Sequence, residues 1–120
     1  LLNRGSYDKI ICRYKRDRES FALILVDVDA FKKVNDSYGH LEGDRVLKRV
    51  ADLLKNAFRS EDYVCRIGGD EFVVNMHSMT EDKRQVIKRK IEAINFELKN
   101  LTDETFGVSI SAGIAFYFCT

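Results

Sequence analysis

Residues 63–76 read YVCRIGGDEFVVNM. Two short apolar runs flank GGDE, and a glycine pair between such runs signals a tight hairpin. The stretch is read as a strand (YVCRI), a turn (GGDE) and a second strand (FVVNM), with Gly68 and Gly69 expected to supply positive φ and a close backbone approach. Such a turn carries Asp70 or Glu71 beyond the sheet edge. Upstream, FALILVDVD, from Phe21, is almost continuously apolar, as a strand buried on both faces is, and ends abruptly in two acids. Period two puts Asp27 and Asp29 on one face and turns Val28 into the core.

Outward from these strands the pattern is helical. Residues 3 to 18 make a modest amphipathic helix with Ile10, Ile11 and Tyr14 on one side. AFKKVNDSYGH reads as a short helical turn broken at Gly39. From Gly43, the residues Val46, Leu47, Val50, Leu53, Leu54 and Phe58 fall on one apolar face. Ser78 and Glu81 have the spacing of a capping box for a following helix, whose apolar face is Val86, Ile87, Ile91, Ile94 and Leu98. FGVSISAGIAFY alternates like a half-buried strand. The order is a helix followed by β-α-β-β-α-β. It predicts an α+β, ferredoxin-like palm: an antiparallel sheet with helices on one face and an N-terminal helix in addition. The first strand and the hairpin can then lie side by side, and Asp27 and Asp70 can share one site.

The bulk numbers exclude several classes. The chain has 120 residues, enough for one domain with a single core. With 45% hydrophobic and 32% charged residues it is not a disordered composition. Lys and Arg total 20 against 19 Asp and Glu, so no basic surplus suggests nucleic-acid binding. No apolar run approaches the roughly 18 residues of a membrane span, and no leader pattern is visible. The expected setting is cytoplasmic, for a fragment without membrane contact whose parent protein can be membrane-anchored. Cys12, Cys65 and Cys119 are far apart and odd in number, which favours reduced thiols over a zinc or disulfide framework. The chain opens within LLNRGSY and stops within GIAFYFCT, so it reads as part of a longer protein.

Two carboxylates converging on rigid strands suit a hard cation such as Mg²⁺, which takes oxygen ligands and bridges to phosphates. A solvated hairpin tip would account for the turn acids taken alone. The apolar strand ending in DVD favours the cation, because buried strands have little reason to finish in two uncompensated acids.

RIGGDEF together with DVDAFKKVNDSYGHLEGD resembles the GGDEF domain of diguanylate cyclases, and the flanks LLNR and SISAGIA resemble that family too. The resemblance spans nearly all of residues 1–120. It implies a palm similar to those of polymerases and adenylyl cyclases, and an activity that joins two GTP into cyclic di-GMP with release of two pyrophosphates. It further implies two domains meeting as a homodimer and Mg²⁺ (or Mn²⁺) as cofactor. The implied metal set is Asp27, Val28 through its backbone, and Asp70. Asp70 and Glu71 are both implied as catalytic acids, with their division of labour open. Backbone groups of Val28 to Phe31 and the side chain of Lys32 are implied near the phosphates. Asn35 and Asp44 match guanine-binding positions, and Phe31 a pocket wall. An Asp carboxylate accepts from guanine N1–H and N2–H₂, which adenine does not offer.

RSED, Arg59 to Asp62, matches the family's inhibitory product site, with Arg89 or Lys90 as a further basic group. Arginine can fork onto guanine O6 and N7. An arginine favoured by a helix C-terminus is the plainer account. His40 and His77 lack a partner pattern. The resemblance also implies a helix and a short strand beyond SISAGIA, carrying basic residues for the phosphates; this sequence ends at Thr120, so either that segment lies beyond this stretch or this fragment lacks part of its phosphate clamp. The other readings are a module that senses GTP or cyclic di-GMP without turnover, and a structural interaction domain.

Overall fold

The apolar run at Phe21 forms β1 (Phe21–Asp29), the strand about which the rest is arranged. The structure, a computed structural model, describes residues 3–17, 20–58, 62–77, 83–100 and 107–117. Before β1 comes α1 (Arg4–Arg16); after it follow α2 (Phe31–Tyr38), α3 (His40–Ala57), β2 (Tyr63–Arg66), β3 (Glu71–His77), α4 (Arg84–Asn100) and β4 (Ser109–Tyr117). The sheet order is β2-β3-β1-β4 and every pairing is antiparallel. This is the expected split-βαβ palm.

Alternation along β1 sorts the packing. Ala22, Ile24, Val26 and Val28 are buried in one cluster with Val46, Val50 and Leu54 of α3 and Ile87, Ile94 and Leu98 of α4. Phe21 and Leu23 belong to a second cluster with Ile10 and Tyr14 of α1, Cys65 and Val73. The Tyr14 and Phe21 rings stack at 5.0 Å. So α2, α3 and α4 share one face, as expected, and α1 covers part of the other. Beyond α1 that second face is open: Leu25 is 51% exposed.

Three expectations need correction. Gly68 and Gly69 do not take positive φ; among the described residues positive φ falls on Ala30, Gly39 and Gly107. The second helix starts at His40, not Gly43, because Gly39 at φ 90° ends α2 and lets the chain restart at once. Val86 leaves the apolar face of α4 and is 46% exposed. The Ser78–Glu81 box lies outside the described residues. Cys12 and Cys65 are free thiols. Burial pushes the Cys65 thiol up, which keeps it protonated and poorly nucleophilic. Among the described residues, no helix is long and apolar enough to cross a membrane.

One contact covers part of the outer edge of β4, the edge strand of the sheet. Asn95 of α4 donates to the Ile110 carbonyl (3.0 Å) and accepts from the Ile110 N–H (2.7 Å), completing both backbone bonds as a further strand would. Asn95→Ala leaves two half-buried backbone groups unpaired. A cost of about 2 kcal/mol is expected, read as a lower midpoint in urea unfolding with an unchanged slope. An unchanged midpoint would show that water replaces the clamp fully.

Candidate active site at the end of the central strand

The hairpin tip is built by its own arginine. Ile67 and Gly68 N–H donate to the Glu71 carbonyl at 3.1 and 3.4 Å. The Arg66 guanidinium donates to the carbonyls of Gly68 and Gly69 at 3.2 and 2.8 Å. This side-chain staple closes the turn without left-handed glycines. Gly68 matters for room instead: a Cβ there would stand 3.1 Å from Glu71 Oε2. Arg66 was missed from sequence because its partners are backbone carbonyls.

Strand register then decides which acids meet. Asp27 lies directly opposite Glu71 on β3 and Ser111 on β4. Cross-strand partners share a face, so Asp27 and Glu71 present two exposed carboxylates side by side. Asp70 sits one residue further, at the end of the turn, and its carbonyl accepts from Val28 N–H at 3.1 Å. The N–H and C=O of one strand residue point the same way. The Val28 carbonyl therefore faces the turn, and no return bond from Asp70 N–H engages it. Like charges directly opposite in a sheet repel, and a cation between them removes that cost. Among the described residues, no three His, Cys, Asp or Glu side chains form a closed metal cage. An all-oxygen set of two carboxylates and a carbonyl fits Mg²⁺, which keeps open positions for phosphate and water.

Asp29 is held separately. Its Oδ2 accepts the hydroxyls of Ser109 (3.0 Å) and Ser111 (2.7 Å) from β4. These serines, some 80 positions away, had no signal in the sequence beyond the alternation of the last strand.

The turn from β1 into α2 is the one place where a non-glycine residue takes positive φ among the described residues: Ala30 at φ 65°, ψ 13°. That conformation costs on the order of 1 kcal/mol, and such strain concentrates at functional turns. No side chain caps α2, so the amides of its first turn stay available to an anion. Lys32 is exposed beside them, and Phe31 is buried.

The α2–α3 hairpin packs Asn35 against Gly43, the residue before Asp44. Gly39 N–H donates to Asn35 O (2.9 Å), and Gly43 N–H to Gly39 O (3.1 Å). Asn35 is half-buried, and its Oδ1 is buried with no hydrogen-bond partner. Asp44 is exposed, next in sequence to buried Gly43.

At the far end of α3, Lys90 of α4 donates to the Ala57 carbonyl and lies 5.4 Å from the centre of the Phe58 ring. Of the two basic candidates, Lys90 is thus tied to the point where the chain leaves for RSED, and it lines a cleft of about 310 Å³ between α3 and α4. Asp62 is half-buried. Arg59 lies outside the described residues.

The antiparallel palm thus sets acids at the end of β1 beside the uncapped start of α2. Residues 4–119 match the family model "Diguanylate cyclase, GGDEF domain". The chain belongs to that family. It is 39% identical over 110 residues to the diguanylate cyclase DgcS of Shewanella oneidensis, a match covering 92% of this chain and 36% of that protein. It is 35% identical over 113 residues to an uncharacterized membrane protein of Staphylococcus aureus, covering 91% of this chain and 31% of that one. The chain therefore spans about a third of the length of these curated relatives. Among solved structures, the GGDEF domain of YfiN (TpbB) from Pseudomonas aeruginosa is similar at TM-score 0.82 and 34% identity, covering 98% of this chain and 76% of that one. The GGDEF domain of DgcB from Caulobacter crescentus, solved with c-di-GMP, is similar at TM-score 0.80 and 26% identity, covering 98% and 73%.

Proposed function

We propose that this chain is a catalytic diguanylate cyclase domain, holding one GTP and pairing with a second copy to make cyclic di-GMP. The observation that carries the reading is the register that sets Asp27 opposite Glu71, beside the Val28 carbonyl and Asp70. Asp27, Val28 O and Asp70 would hold Mg²⁺ or Mn²⁺, with Glu71 completing or activating the set. A bound divalent ion would neutralise phosphate charge and lower the pKa of an attacking hydroxyl. The chain's own groups do the rest. The uncapped amides at the start of α2, from Phe31, and Lys32 bind the triphosphate, the Val28 N–H being taken by the Asp70 carbonyl. Asp44 and Asn35 read the guanine edge, with Phe31 as a wall. The acids receive the proton of the 3′-hydroxyl as its oxygen bonds to the α-phosphorus of the GTP on the other domain. The bond from that phosphorus to pyrophosphate breaks. Repeating the step in the opposite sense closes the ring and releases the second pyrophosphate. Incubating the full-length protein with GTP and Mg²⁺ and separating products by chromatography tests this. Tight GTP binding with no cyclic di-GMP formed would replace the cyclase with a sensing module.

Feedback belongs to the same proposal. Arg59 and Asp62 would form a product site with Lys90 of α4, which reaches the end of α3. Product there would hold two domains in an orientation that keeps their GTP sites apart, so inhibition is non-competitive. Arg59→Ala removes a charge-assisted contact of about 1.5–3 kcal/mol. Calorimetry should show cyclic di-GMP binding weakened roughly ten- to a hundredfold, with GTP binding little changed. Equal product affinity in both proteins, or binding only in competition with GTP, would return RSED to a plain helix end.

A further inference from the structure

Gly43 stands where a glycine is unfavourable. It lies inside α3, within the helix and without positive φ, and glycine is among the poorest helix formers. Backbone freedom does not account for it. Space does. A Cβ at Gly43 would overlap Asn35 Oδ1, stand 2.9 Å from Asn35 Cγ and 3.3 Å from Phe31 Cε2. The carboxamide of Asn35 therefore rests its oxygen arm on the bare Cα of Gly43. That oxygen is buried and accepts no hydrogen bond. A carboxamide carries its oxygen and its NH₂ on opposite arms, so seating the oxygen arm in the helix seam turns the donor arm outward. An orphaned buried acceptor is costly and needs an explanation. Fixing the direction of the donor supplies one.

We propose that Gly43 is a specificity-determining position. Its missing side chain is the seat that holds Asn35 toward the base of a bound guanine nucleotide, in step with Asp44, the next residue of the same helix. Any Cβ at position 43 swings the carboxamide out of the seam and uncouples Asn35 from the base. Gly43 touches no ligand itself; it is a positioning residue that acts through Asn35. The inference rests on the reading of Asn35 and Asp44 as the guanine-binding pair.

The test is a double-mutant cycle on the full-length protein, with GTP and ATP affinities measured by calorimetry alongside thermal melts. Asn35→Ala and Gly43→Ala should each weaken GTP binding, by up to about tenfold for a neutral hydrogen bond. Each should also narrow the preference for GTP over ATP, which a merely structural role would not do. In Asn35→Ala/Gly43→Ala the overlap with Oδ1 and Cγ is gone, and only the milder 3.3 Å approach to Phe31 Cε2 remains. The second substitution should then add nothing to the first. If Gly43→Ala unfolds the protein, the double mutant must recover the fold; a double mutant that stays unfolded overturns the seat. Full GTP affinity and preference in Gly43→Ala, with both lost in Asn35→Ala, overturns the inference and leaves the guanine reading standing. Wild-type behaviour of both single mutants overturns the two together.

Discussion

Asp70→Ala should reduce cyclic di-GMP formation by roughly 10³-fold or more while leaving the fold intact. Losing one preorganised electrostatic stabiliser already costs about 10²–10³ in turnover, and on the proposed function Asp70 is a metal ligand, so the loss is larger. The fold should survive because the structural duty of Asp70 is a backbone one. Its carbonyl accepts from Val28 N–H, and alanine keeps that carbonyl. The staple from Arg66 reaches Gly68 and Gly69, not Asp70. Product chromatography measures the first half of the prediction and thermal melting the second. A folded mutant with normal yield would end the metal-site assignment. Glu71→Gln run in parallel divides the labour between the adjacent acids. Glu71 faces Asp27 across the strands, so neutralising it should raise the Mg²⁺ concentration needed for half-maximal rate if it is a ligand. If it handles the proton instead, it should lower the maximal rate with that requirement unchanged.

The parts of this arrangement differ in how far sequence reveals them. β1 was legible because FALILVDVD carries two local signals, burial and an abrupt acidic end, and both are properties of neighbouring residues. The hairpin was legible as a hairpin but not in its mechanism. Glycine pairs imply positive φ by default, whereas here a guanidinium closes the turn and the glycine's use is room for Glu71. The start of α3 was misplaced by three residues because helix breaks at glycine need not cost a loop. Gly39 turns the chain and helix resumes at the next residue. The position of α1 was left open because an amphipathic helix shows that it has an apolar face, not which side of a sheet receives it. Site residues followed the same rule. Asp27, Asn35, Asp44 and Asp70 carry motif spacing. The grip of Ser109 and Ser111 on Asp29 depends on the register between β1 and β4, which no local pattern encodes. The steric reason for Gly43 appears only once two helices are packed.

Base choice should be the second large effect. The protein is expected to turn over GTP at least roughly 10²-fold better than ATP in kcat/KM. A site built to hydrogen-bond a substrate can reject an analogue lacking the groups by up to about 10⁴–10⁵. The lower figure follows from exposure. Asp44 is open to water, so solvent can satisfy its carboxylate when adenine cannot, and the penalty of an unpaired charge is only partly felt. The buried, unpartnered Oδ1 of Asn35 works in the other direction, since the carboxamide is already fixed before the base arrives. The two residues should therefore separate in size. Asp44→Ala removes bonds to a charged acceptor, about 1.5–3 kcal/mol, and should weaken GTP roughly ten- to a hundredfold. Asn35→Ala removes a neutral bond and should cost less, about tenfold or under. Neither change should strengthen ATP, because adenine offers Asp44 no donor pair to begin with. Initial rates with each nucleotide, for the wild type and both variants, give these comparisons. Equal rates with ATP and GTP in the wild type would contradict the assignment of both residues. A larger loss at Asn35 than at Asp44 would instead mean that the preset carboxamide, rather than the charge, carries the discrimination.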